Sequence, residues 1–362
     1  MLKGWANGRS RGTGTVALAA ALAGTLAAAG CGDGADAEPR ITTTTRAGIA
    51  PEPPTKGAYF GVWAPPPGTG DGDAPSAPPA SAGPLAPGRD GDAPGMAGVA
   101  ALERGLGRQV DIVQRYYGWK TSFPSAKDRA VTATSRLLML NWKSGDTKEI
   151  AAGRDDALIR ERARAIKALG KPVFLRWQRD MDVPSAADRV HDAASYVAAW
   201  KHVRAVFSAE GVANVAWVWC PTASGFGSRN APSYYPGDDQ VDWVCADAET
   251  PAGDTYTDLS EITKLFFDWA KDRPKPVMIG EFGVPASYGA RRAEWFRRAA
   301  QTLQNPQVKA VLYYDSDERA EEPRDDRRKF AVDGDASAVS ALRELATLPY
   351  FNPRNVPVTQ GE

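Results

Sequence analysis

The chain has 362 residues, enough for two ordinary domains or one large barrel. Lys plus Arg and Asp plus Glu each number 44, and this zero formal charge speaks against a polybasic nucleic-acid footprint or a polyanionic tail. Two His are too few for a three-His zinc site or an HExxH helix, and three Cys are too few for a disulfide-dense mini-fold.

Lys3, Arg9 and Arg11 precede an apolar stretch, Thr15–Gly30, that is shorter than the roughly 20 residues of a membrane-spanning helix. It has the form of a signal-peptide core and ends in Ala28-Ala29-Gly30-Cys31, small residues abutting a Cys. That box resembles a bacterial lipoprotein processing site, which makes 1–30 the leader and Cys31 the lipidated first residue of an exported, membrane-anchored protein. Ordinary secretory cleavage, with release from the cell, is the alternative. Residues 31–56 are polar and aperiodic and read as a flexible tether. Gly57–Trp63 (GAYFGVW) has strand composition, whereas 64–98 is Pro- and Gly-rich with little to bury and reads as a disordered insertion.

Seven more runs of strand composition follow: 110–119, 136–143, 171–182, 214–221, 241–249, 275–284 and 308–317. Helical patterns lie between them at 99–108, 154–169, 187–210, 258–272, 291–303 and 335–347, while the segments after the second and fifth strands are less clearly helical. In 154–169, Ala157, Leu158, Ala165, Ile166 and Leu169 fall near one face, and Gly170 and Pro172 stop the helix. Strands alternating with helices imply parallel pairing, and eight such units make a closed (β/α)8 TIM barrel the economical fold. Roughly 270 residues remain after leader, tether and insertion are set aside, close to the about 250 typical of such barrels. The barrel domain is expected over 57–350, with 351–362 as a tail. An open doubly wound sheet is the alternative, but no Gly-rich phosphate turn follows the first strand.

A barrel does its chemistry where its strands end. The fourth strand ends in Arg176, Gln178, Arg179, Asp180 and Asp182, the sixth in Asp247 and Glu249, the seventh in Glu281, and the eighth in Tyr314, Asp315 and Asp317. Strand parity places Arg176, Gln178 and Asp180 on one face, and Ile279 and Glu281 together on another. A carboxylate directly after PVMIG is costly in an apolar lumen unless it is paired or used. Seven of the eleven Trp fall in the strands, and flat aromatic faces beside carboxylates suit a sugar ring. His191 and His202 share a face of one expected helix but lack a third ligand. Cys220 and Cys245 lie in or at the ends of adjacent strands, either as a disulfide or as buried thiols.

GAYFGVW, PVFLRW, NVAWVWCP, SYYPGDDQVDWVCAD and above all KPVMIGEFG resemble glycoside hydrolase family 26, whose members are mostly β-mannanases and related endo-glycanases. The resemblance covers about 57–317. It implies a two-carboxylate hydrolysis of a β-linked polysaccharide, β-mannan being the family-level expectation, without a cofactor. Glu281 matches the nucleophile after strand seven. Where the family reads an Arg and an aromatic, then two residues commonly ending in His, then Glu, Met and Asn, this chain has Arg176-Trp177-Gln178-Arg179-Asp180-Met181-Asp182. Asp180 therefore stands for the acid/base Glu and Arg179 for the His, while Glu249 stands for a Tyr beside the nucleophile and is a third candidate carboxylate. Arg176, Trp177, Trp219, Tyr235, Trp243 and Tyr314 are expected to line the cleft of a monomer. The departures at Arg179, Asp180 and Glu249 keep open a barrel that binds cell-surface glycan without cleaving it.

Overall fold

The computed structural model describes residues 41–43, 45, 48–65, 93–250, 255–319 and 324–359. The leader, Cys31 and most of the expected insertion lie outside the described residues. Eight parallel strands close into a barrel in chain order: β1 Tyr59–Trp63, β2 Ile112–Tyr117, β3 Leu137–Trp142, β4 Val173–Trp177, β5 Val215–Trp219, β6 Trp243–Glu249, β7 Val277–Gly283 and β8 Val308–Tyr314. Closure is made by β1 lying between β2 and β8, with Tyr59 opposite Ala310 and Trp63 opposite Tyr314. The (β/α)8 expectation holds.

Helices fill the crossovers: α1 Ala97–Leu106, α2 Ala126–Thr132, α3 Thr147–Ala151, α4 Asp156–Leu169, α5 Ala187–Val190, α6 Ala193–Ala209, α7 Gly225–Ser228, α8 Leu259–Ala270, α9 Arg291–Leu303 and α10 Ala336–Ala346. Gly170 ends α4 at φ +63°, the left-handed conformation that glycine adopts without steric cost. The buried face of α4 is Ile159, Arg162, Ala163 and Ile166, rotated from the expected stripe because Arg162 tucks inward and donates to the carbonyls of Lys120 and Thr121. The single helix expected over 187–210 is two. His191 at φ +60° stops α5, and the Asp192 carboxylate caps α6 by accepting from the Ser195 amide at 2.7 Å. His191 and His202 consequently share no helix and pair separately, with Asp146 at 2.8 Å and Asp156 at 2.6 Å.

Two apolar layers follow from strand alternation. Ile112, Met139, Phe174, Val218, Trp243, Met278 and Leu312 fill the lumen, while the alternate residues pack under the helices. Part of the expected tether is held against the barrel: the Thr42 amide donates to the Pro274 carbonyl at 2.6 Å, and Ala50 and Pro51 are buried. The expected tail is also attached, with Phe351 buried and Thr359 donating to the Gly107 carbonyl at 2.8 Å. Among the described residues no helix is long and apolar enough to cross a membrane.

Candidate active site

The strand ends gather a cluster of carboxylates and guanidiniums, and one irregularity decides its centre. Strand β7 pairs with β6 as Met278 to Cys245 and Ile279 to Ala246, but then as Glu281 to Asp247. Gly280 is thus an extra residue, a β-bulge that shifts parity by one. Ile279 points out beneath the helices and Glu281 points in, so these two residues do not share a face as regular alternation requires. Only glycine fits the bulge. A Cβ there would lie 2.5 Å from Cys245 Sγ, 2.6 Å from Asp247 Oδ1 and 2.7 Å from Arg176 Nη1.

Glu281 is buried and ringed by donors. Tyr116 Oη of β2 donates to its Oε1 at 2.6 Å and Gln114 Nε2 at 3.2 Å, and Arg176 of β4 donates to the same oxygen. Arg176 is wholly buried and also binds Asn141 of β3 and Asp247 of β6, so it ties three strands to Glu281 rather than lining an open cleft. Burial alone would push the Glu281 carboxyl up. Arg179 and then Arg176, with hydrogen bonds from Glu249 and Tyr116, override that and hold it at about 2.

Arg179 enters by a local contortion. Gln178 at φ +44° and Asp180 at φ +51° both occupy the left-handed region, which costs non-glycine residues of order 1–3 kcal/mol. The twist turns Arg179 into the mouth, over the Tyr116 ring at 5.1 Å and in an ion pair with Asp180. Its Nε lies 3.6 Å from Glu281 Oε1 and its Nη1 3.8 Å from Asp247 Oδ2. One guanidinium therefore touches both carboxylates of the expected pair. Its side chain is 34% exposed and that of Asp180 20%, against 2% for Glu281 and Asp247, so Arg179 and Asp180 form the outer side of the cluster.

Three carboxyls around Glu281 are displaced the other way. Burial pushes Asp180 up against the pull of Arg179, with Glu281 adding to the rise. Burial pushes Asp247 up against Arg176. Burial pushes Glu249 well up, aided by the charge of Glu281 and by a hydrogen bond to it. Beside these groups, Cys220 and Cys245 are joined in a disulfide with Cα atoms 4.4 Å apart, which settles the choice left open between bridge and thiols. Cys220, Cys245 and Asp247 form the only group of potential metal-ligating atoms gathered among the described residues, and two of those atoms are the bonded sulfurs.

Several expected cleft residues lie elsewhere. Because Arg176 points inward, Trp177 points outward and stacks on Tyr196 of α6 at 5.6 Å. Trp219 likewise faces out, against Trp269 at 5.2 Å, and Tyr235 joins that outer cluster 5.0 Å from Trp219. Trp243 points inward but begins β6, deep in the lumen against Phe174. Asp182 is a fastener, accepting from the Thr222 amide at 3.0 Å and from Arg229 at 3.2 Å. Tyr314 stays at the mouth, where its hydroxyl donates to Glu318 at 2.8 Å. The residues missed are Gln114, Tyr116 and Asn141; Trp63, one of the seven Trp expected in the strands, packs edge-on to Tyr116 at 4.8 Å. Alternation along VDIVQRYYGW would have found Gln114 and Tyr116, since both share the inward parity of Ile112.

Residues 189–311 match the model of glycosyl hydrolase family 26, a span that includes Glu249 and Glu281 and leaves out Asp180. Endoglucanase H of Acetivibrio thermocellus is 26% identical over 284 residues, which is 73% of this chain and 30% of that protein. The β-1,3-xylanase TXYA of a Vibrio species is 29% identical over 154 residues, 41% of this chain and 31% of that one. The chain thus spans less than a third of the length of these relatives. Among solved structures, a family 26 β-mannanase from Bacteroides ovatus superposes with a TM-score of 0.57 at 14% identity, covering 82% of this chain and 90% of that one. A β-mannanase from a protist symbiont of the termite Reticulitermes speratus gives 0.55 at 14% identity, covering 88% and 99%.

Proposed function

We propose that this chain, whose residues 189–311 match the glycosyl hydrolase family 26 model and whose barrel superposes on β-mannanases, catalyses the endo-hydrolysis of a β-linked polysaccharide by two carboxyls. The observation that carries this reading is the sorting of the cluster. Glu281 is held ionised by Arg179 and Arg176 against its burial, while the carboxyls around it are pushed toward the protonated form. Carboxyls whose environments drive them apart in this way make a nucleophile and an acid. Glu281 attacks the anomeric carbon and Asp180 protonates the leaving oxygen, then takes a proton from the water that frees the sugar. The double displacement proposed here gives retention of configuration. Asp180 works once an incoming saccharide has drawn Arg179 off its carboxylate.

The relatives carry names of glucan, xylan and mannan hydrolases. β-Mannan is proposed on the shape of the family resemblance. The protein is further proposed to be exported and held on the outer face of the membrane by lipid on Cys31, which mass spectrometry of the mature N-terminus tests. Release of reducing ends from β-mannan and mixed β-glucan by the wild type, and its loss in Glu281→Ala, tests the hydrolase reading. A second reading is favoured by the ion pair of Arg179 with Asp180: a barrel that binds glycan without cleaving it. Glycan affinity without turnover, unchanged in Asp180→Ala, would select it.

A further inference from the structure

Glu281 accepts from Tyr116, Gln114 and Arg176, with Arg179 Nε 3.6 Å from the same oxygen, and it also shares a hydrogen bond with another carboxyl, that of Glu249 at the end of β6. Two carboxyls in hydrogen-bond contact hold a proton between them, because two adjacent carboxylates repel. All the other groups bonded to Glu281 are donors, so Glu281 is the ionised member and the proton belongs to Glu249. We propose that Glu249 is a positioning residue for hydrolysis, a carboxylic acid that donates its proton in a hydrogen bond to Glu281 and fixes the direction of its attack.

The inference rests on the hydrolase reading and deepens it. It gives Glu249 a task different from that of Asp180, which meets the saccharide oxygen directly. The strand register explains how the contact arises. Asp247 lies opposite Glu281 and Glu249 opposite Gly283, so Glu249 sits one inward position nearer the mouth and its longer side chain reaches back. The charged and titratable groups turned on the pair are Asp247 on β6, Arg176 of β4, Arg179 and Asp180 just beyond it, and Tyr116 of β2. Burial and the charge of Glu281 keep the proton on Glu249 well above the ordinary carboxyl range. Deprotonation at alkaline pH turns the hydrogen bond into repulsion, and Glu281 loses its alignment.

The test compares wild type, Glu249→Gln and Glu249→Ala by infrared difference spectroscopy and by pH-dependent turnover of β-mannan. At neutral pH the wild type minus Glu249→Gln spectrum should contain the carbonyl band of a protonated carboxylic acid. Glu249→Ala should lose on the order of 10- to 100-fold in kcat, the value of a hydrogen bond to a charged group. Glu249→Gln, which keeps a donor but does not titrate, should recover most of that loss and move the alkaline limb of kcat by a unit or more. Absence of the protonated band, or an unmoved alkaline limb, overturns the proposal. A band present in a protein that cleaves no glycan would keep the proton on Glu249 while removing the hydrolase reading.

Discussion

Gly280→Ala is the substitution that separates the bulge from mere strand composition. The added methyl would meet Cys245 Sγ at 2.5 Å, Asp247 Oδ1 at 2.6 Å and Arg176 Nη1 at 2.7 Å. None of these is the free end of a flexible side chain, since the sulfur is bonded to Cys220 and the other two atoms are paired in the buried core of the site. Overpacking of this kind costs about 1–3 kcal/mol, and displacing Arg176 from a buried carboxylate costs about 3–5 kcal/mol. The expected loss in denaturant unfolding is therefore about 1–3 kcal/mol if the methyl only overpacks the site and about 4–8 kcal/mol if Arg176 is displaced as well, together with at least a 100-fold fall in kcat on β-mannan. Gly61→Ala is the control. Its Cβ would crowd Ile112 Cβ at 2.8 Å and Leu312 Cγ at 2.9 Å, in the same lumen but among apolar groups. It should destabilise by about 1–3 kcal/mol, from overpacking alone, while the folded fraction keeps kcat within about threefold. Wild-type stability and turnover in Gly280→Ala would refute the assignment of the bulge, as would equal catalytic losses in both variants.

Removing Arg179 as Leu takes away the leading attraction that opposes burial at Glu281, so the carboxyl of this proposed nucleophile rises from about 2. Because activity needs the ionised form, the acid limb of kcat/KM should move up by roughly one unit or more, and an unmoved limb would contradict the charge assignment. Tyr116→Phe deletes the 2.6 Å hydrogen bond to Glu281 and should lower kcat on the order of 10- to 100-fold with little change in KM. Reducing the Cys220–Cys245 bridge, which spans 25 residues, should cost about 3.5 kcal/mol in unfolding experiments, and a Tm indifferent to reductant would show that the bridge contributes nothing.

The barrel was legible because its evidence repeats: eight strand-like runs separated by helical ones need no fine geometry to imply a closed parallel sheet. Glu281 was legible through its motif, yet the parity argument used for it fails, since Gly280 inserts a residue and reverses the face. Trp177 and Trp219 were misplaced for the opposite reason. They obey strict alternation, and their neighbours Arg176 and Cys220 occupy the inward positions. Arg179 was beyond sequence parity altogether, because its inward turn depends on positive φ at both Gln178 and Asp180, and while Asp is among the residue types enriched there, Gln is not. The break at His191 is of the same kind: apolar periodicity ran on through 187–210, and a single left-handed residue divided the helix.

The central claim is that Glu281 forms a bond to sugar carbon. Incubation with a 2-deoxy-2-fluoro β-mannoside bearing an activated leaving group, followed by peptide mass spectrometry, tests it most directly. A glycosyl adduct is expected on the peptide containing Glu281 and none in Glu281→Gln. An adduct on Asp180 or Glu249, or steady hydrolysis of β-mannan that leaves no residue labelled, would contradict it.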